Sequence, residues 1–322
     1  MPSLDANANI HLPFPQSDWV ITPLPFAPTA MNDAGVIVGS QPDVAVQYQN
    51  GKVEVLPGAD QGSVAVNVSS TGAIVGTMGE KAVDGADAVL WFPLPLRLPS
   101  APVGVFEPKA INKHLAIVGD AGVALLVSVA FKWTPSDGFQ PLRSPLRRTT
   151  KGESVRVTDI NDNGFAVGVV TNPDGEARPV VWLPDGTGLF RWPNARVFSL
   201  QDLRINNRGD VAIVGDPAFH VSVLHADGTV ESFPSIPPVL TVDDISDEGR
   251  MIGTARFNGG VRAWTFYKNQ LHWLDLPDGT PWEPSRVNSC GNIVGATGPD
   301  SGVLFARPLP SRCDGAGVGG HP

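Results

Sequence analysis

The chain has 322 residues, of which 42% are hydrophobic and 17% charged, with a net charge of −9 and a pI near 5.1. A field of that sign repels phosphate backbones and anionic lipid, so neither nucleic acid nor a membrane is an expected partner. No apolar run approaches the ~18 residues of a membrane span, and 35 glycines with 31 prolines point to many short strands joined by turns rather than to helices.

Residues 1–18 lack the basic and apolar regions of a secretory signal. They read as an N-terminal extension, and the expected location is cytoplasmic. The segment "WVITPLP" (19–25) then alternates as a half-buried strand does. "MNDAGVIVG" (31–39) follows, and it returns as "VSSTGAIVG" (68–76), "INKHLAIVG" (111–119), "INDNGFAVG" (160–168), "INNRGDVAIVG" (205–215), "ISDEGRMIG" (245–253) and "VNSCGNIVG" (287–295). A period of about forty residues signals a propeller, solenoid or array.

Each unit parses into four strands around that hairpin. In the first, "APTAMN" runs in, "NDAG" turns, "VIVGS" runs back, "VAVQYQ" crosses again and "NG" turns into "KVEVLP". Asn and Asp bond the backbone two residues on, and Gly35 accepts the positive φ of a tight hairpin. Third strands end in an aromatic (Tyr48, Trp91, Trp133, Trp182, Phe266, Phe305), suited to filling the wedge between neighbouring sheets.

The seventh unit has no fourth strand, and the segment after Trp19 belongs to no other unit. An N-terminal strand completing the last blade would close the ring and leave no open edge. The expected fold is therefore all-β: a seven-bladed β-propeller of four-stranded blades over 19–308, followed by a disordered tail at 309–322. Cys290 and Cys313 could pair and staple the tail to the last unit, but two are too few for a disulfide-built fold, and buried or idle thiols are the expectation.

The unit "INDxGxIVG" followed by an "AxxW"-like strand resembles the HAF repeat family of bacterial proteins, over residues 19–308. The resemblance implies the repeat fold and an extracellular setting, and it brings no catalytic motif. The chain departs from the pattern at Leu115, which replaces the turn glycine, and by two extra residues in the fifth unit.

In such a ring the first strand of each blade lies innermost. The hairpins collect at one face, and the variable loops, including the basic run at 143–151, collect at the other, where binding is expected. Counted back from the apolar residue before each hairpin, the fourth position gives Glu107, Arg156, Gln201 and Glu283. The second gives Lys109 and Asp243, and the first gives Asp159, Arg204, Asp244 and Arg286. Glu107 and Glu283 are candidate general acids or bases and Arg156 a candidate anchor for an anionic group. The other seven are candidate ligand contacts, although Asp159, Arg204, Asp244 and Arg286 could also pair among themselves.

Neither metal nor cofactor is expected. The six histidines show no metal-ligand spacing. "DINDNG" (159–164) opens like a calcium loop but has Val170 at its twelfth position, and "GAGVGG" (315–320) has no strand before it. The expected function is a monomeric propeller that binds a small polar molecule at its channel mouth and performs acid–base chemistry as a lyase, isomerase or cyclase. The alternative is a non-catalytic scaffold for a protein or glycan.

Overall fold

A computed structural model describes residues 19–79, 86–122, 129–146, 153–192, 203–215, 220–233, 239–257 and 260–306. Seven antiparallel sheets of four strands each follow one another around a ring. The inner strands, from blade 1 to blade 7, are Ala27–Met31, Val64–Val68, Val105–Ile111, Ser154–Ile160, Arg204–Ile205, Val239–Ile245 and Glu283–Val287. The ring closes as the missing strand requires: Val20–Leu24 pairs antiparallel with Ser301–Ala306, Val20 opposite Ala306 and Leu24 opposite Gly302.

Apolar clusters lie between blades. Ala30, Val38 and Ala45 of blade 1 pack on Ile74, Val89 and Trp91 of blade 2, and corresponding clusters bridge each following junction around to blades 7 and 1. The third-strand aromatics supply the wedge: Trp91, Trp133, Trp182, Phe266 and Phe305 are all buried. Trp91 and Trp182 also place their indole N–H groups on the carbonyls of Pro57 and Arg143, which satisfies a donor that burial would otherwise leave costly.

The hairpin polar residues make the turns and also link the blades. Asn161 Oδ1 accepts from the N–H groups of Asn163 and Phe165 in its own turn, while its Nδ2 donates to the carbonyl of Asn206 in the next blade. Asn206 in turn donates to Ser246, Asn112 to Asn161 and Asn32 to Ser69. A second tier lies outside it. Asp162 accepts from Lys113 N, Asp247 from Asn207 N, and Asp33 from Ser289 N. Leu115 holds the left-handed conformation, φ 61°, that glycine occupies in the other turns.

Six of the seven inner strands carry a β-bulge two residues before their last apolar residue, at Thr29, Val66, Lys109, Thr158, Asp243 and Ser285. The bulge drives a carbonyl against the second strand, and this explains the glycine of "IVG". A Cβ at Gly168 would lie 2.0 Å from the Arg156 carbonyl oxygen, and one at Gly39 would lie 2.1 Å from that of Ala27.

Cys290 corrects one expectation. It is disulfide-bonded rather than an idle thiol, and it sits partly buried in the last blade's hairpin turn. Cys313, the extension 1–18 and the tail 309–322 lie outside the described residues.

Candidate functional site

A cavity of about 150 Å³ opens where the inner strands meet their hairpins. Its lip is formed by Asp33, Ser70, Asp162, Asn207, Asp247 and Ser289, and Asp159, Asp244 and Arg286 lie among its deeper lining. It is therefore on the hairpin face. The lip carboxylates are committed to structure: Asp33 accepts from both Ser289 N and Oγ, Asp162 from Lys113 N and Ser70 Oγ, and Asp247 from Asn207 N and Nδ2. Each caps the hairpin of a neighbouring blade.

The deeper groups differ. Asp159 accepts from Ile160 N and from Ile205 N of the next blade, at 2.9 and 3.1 Å. Burial pushes its carboxyl above the ordinary range, a rise that the Arg204 and Arg286 cations oppose and that Asp244 reinforces. Asp244 is only 8% exposed, and its Oδ2 accepts from Val287 N of the next blade at 2.8 Å. Arg204 braces the channel, donating to the carbonyls of Asp243 and Thr158 at 3.1 Å each.

The remaining predicted residues form two groups away from this cavity lining. On blade 6, Asp243 Oδ2 accepts from Thr241 Oγ1, which lies 2.8 Å from Thr254 Oγ1. Burial pushes the Asp243 carboxyl up to about 7 against that bond and the Arg204 and Arg286 charges, with Glu283 adding to the rise. On blades 3 and 4, Lys109 lies 3.5 Å from the exposed Glu107 carboxylate, and Arg156 lies 3.6 Å from Asp120. Glu107, Arg156 and Glu283 are not among the residues that line that cavity. Gln201 lies outside the described residues.

Sequence reasoning passed over Asp120. Its carboxyl is pushed up to about 6 by burial, although Val157 N donates to it and Lys109 and Arg156 stand near. The signal was the polar residue after glycine in "IVGD" (117–120). Asp120 and Asp243 bind more protons folded than unfolded, so stability is highest below the unfolded carboxylate range and falls as pH rises through about 6 and then about 7. Between pH 5 and 8 the contribution of these two carboxyls to the melting temperature should decline, and Asp120→Asn should remove on the order of 1 kcal/mol of that decline. A flat or rising profile over this window in both proteins would contradict the burial of these carboxyls.

Among the described residues no group of three or more side chains is arranged to hold a metal ion. The "DINDNG" stretch forms a hairpin turn, with Asn161 as its cap. His114 is exposed in its own turn.

No protein-family model and no curated protein matches the chain. Solved structures do match. Virginiamycin B lyase from Staphylococcus aureus aligns over 89% of this chain and 99% of its own at 11% identity and a TM-score of 0.53. The YCF48 structure bound to D1 peptide aligns over 92% and 98% at 13% identity and 0.53, and the WD40 propeller of Doa1 over 92% and 98% at 13% and 0.51. At these identities the likeness is one of fold: the chain is a seven-bladed propeller similar to those of a lyase, a peptide-bound protein and a WD40 domain.

Proposed function

We propose that the chain binds a small polar molecule in the hairpin-face cavity and acts on it as a cofactor-independent lyase, isomerase or cyclase. The observation that carries this reading is the meeting of two carboxylates and a guanidinium, Asp159, Asp244 and Arg286, in the lining of one cavity. Asp159 is the proton carrier. A carboxyl held above its ordinary range still carries a proton to donate at a pH where a free carboxylic acid has already ionised, and is a stronger base once ionised. Arg286 faces charge developing on a substrate oxygen. In this reading Glu107, Arg156 and Glu283, which are not among the cavity-lining residues, take no part in the chemistry.

The similarity to a lyase is compatible with this reading but does not carry it, because scaffolds share the same ring. A protein-binding scaffold is the second reading, favoured by the apolar outer edge of blade 2, where Phe92, Leu94 and Leu96 are exposed. The two readings separate experimentally. Asp159→Asn keeps an oxygen for Ile205 N, so its melting temperature should stay within a few degrees while turnover of a substrate found by metabolite screening falls about 10²–10⁴-fold. A stable Asp159→Asn protein with undiminished turnover would end the assignment.

A further inference from the structure

The turn between the third and fourth strands is polar in blades 1, 3, 4, 5 and 6, where the chain reverses on Asn50–Gly51, Asp137–Gly138, Asp185–Gly186, Asp227–Gly228 and Lys268–Asn269. Each of these turns holds a residue at positive φ and exposes a polar side chain. Blade 2 departs from the pattern. Its turn is Phe92–Pro93–Leu94, and exposure continues along its fourth strand, Pro95–Arg97. Residues 92–96 are therefore five consecutive apolar residues in solvent, with Phe92 50%, Leu94 70% and Leu96 53% exposed. A run of that length is a liability unless something covers it, and the roughly few hundred Å² it presents is the size at which an apolar patch marks an interaction site.

The backbone limits what can cover it. Leu96 pairs with Leu90, and Leu98 N donates to the Ala88 carbonyl, so the intervening Pro95 and Arg97 turn their backbone groups outward. Pro95 has no N–H, which leaves Arg97 to supply the outward donor of this short strand. Addition of a partner strand is blunted, and side chains have to make the contact. Leu94, Leu96 and Leu98 share one face by the period of two, and Leu98 is buried in the cluster between blades 2 and 3. Pro95 faces the other way, its ring 3.2 Å from where a Cβ at Gly58 of blade 1 would lie.

We propose that this edge is the contact of a two-fold dimer of the chain, centred on Leu94. The exposed run is symmetric about that residue: a half-turn sets Leu94 on its own copy and Phe92 on Leu96 of the partner subunit. The rim is self-complementary in charge, because Asp87 and Arg97 form an exposed ion pair carrying both signs. Two facing patches of this size fall below the ~1,200 Å² of a stable complex, and a net charge of −9 on each copy opposes association. The dimer is therefore weak, the dilute chain is monomeric, and salt strengthens the contact by screening the repulsion. The inference stands apart from the cavity and its chemistry.

Sedimentation of the full chain from about 1 to 500 µM provides the test. The dissociation constant should be on the order of 10–100 µM and should fall several-fold between about 50 and 500 mM salt. Leu94→Asp puts two carboxylates on the axis and should weaken association at least about 10-fold, while the largely exposed position leaves the melting temperature within about 2 °C. Val230→Asp adds the same charge at a 51% exposed apolar position on blade 5 and should leave association unchanged. Under mild oxidation Leu94→Cys should give a covalent dimer and Val230→Cys should not. A chain that stays monomeric throughout the range overturns the proposal and leaves the edge to a different protein. A dimer indifferent to Leu94→Asp, or one that loosens as salt rises, overturns it equally.

Discussion

A chain starting at Pro25, lacking Val20–Leu24, is expected to lose its cooperative melting transition and to elute as aggregate. The missing strand removes the whole ladder on Ser301–Ala306, together with buried Leu24 and the contacts of Ile21 and Trp19, whose ring meets Phe305 edge-on at 6.0 Å. At about 1.5–3 kcal/mol for each apolar side chain, three such losses approach the ~5–15 kcal/mol that holds a typical domain folded. The truncation also bares a strand edge flanked by Phe305 and Val303, a template for pairing with another chain. Val20→Thr is the control, since Val20 is 54% exposed and should change stability by no more than about 0.5 kcal/mol. A synthetic peptide covering 19–25, supplied during refolding, should restore monomer by strand addition. A truncated chain that melts normally as a monomer would show that the last blade stands on three strands.

Gly168→Ala should cost at least about 3 kcal/mol, a fall of roughly 5 °C or more in melting temperature for a ring of this size. The added methyl would sit 2.0 Å from the Arg156 carbonyl oxygen and 2.8 Å from the Val157 Cα. Both obstacles are backbone, so relief requires flattening the bulge between Val157 and Asp159. That bulge also sets Asp159 for its bond from Ile205 N, so ligand binding should weaken along with stability. Gly35→Ala makes the comparison: nothing lies within 4 Å of a Cβ there, and only the positive φ of 76° opposes it, a penalty of about 1–2 kcal/mol. Equal losses in the two variants would mean that the bulge yields easily.

The blades were legible because their signal is repeated: Asn, Gly and an aromatic recur at fixed offsets, and the unit without a fourth strand pointed to the segment after Trp19 as its donor. The site was less legible, for two physical reasons. Strict alternation predicts that the second and fourth positions before the apolar residue share a face. The bulge falls on the second position itself and breaks that alternation, and the cavity is lined by the position just before the apolar residue, at Asp159, Asp244 and Arg286. The other reason is that a turn residue looks the same in sequence whether it serves its own hairpin or its neighbour's. Asp33, Asp162 and Asp247 read as turn-makers, and only the ring shows them capping adjacent blades. The charge at 107, 156 and 283 was plain in the sequence. Its partition among Lys109, Asp120 and Asp243 depends on distances between blades that no local pattern records.

Pairing between the first and last described strands makes the two ends of the described residues lateral neighbours, with Val20 facing Ala306 in one ladder. A ring joined in this way has no obligatory beginning. Circular permutants that bridge those ends with a short flexible linker and open between blades, for instance after Leu56, should reach the same native state, differing in the order in which blades emerge during synthesis and in which junction closes last.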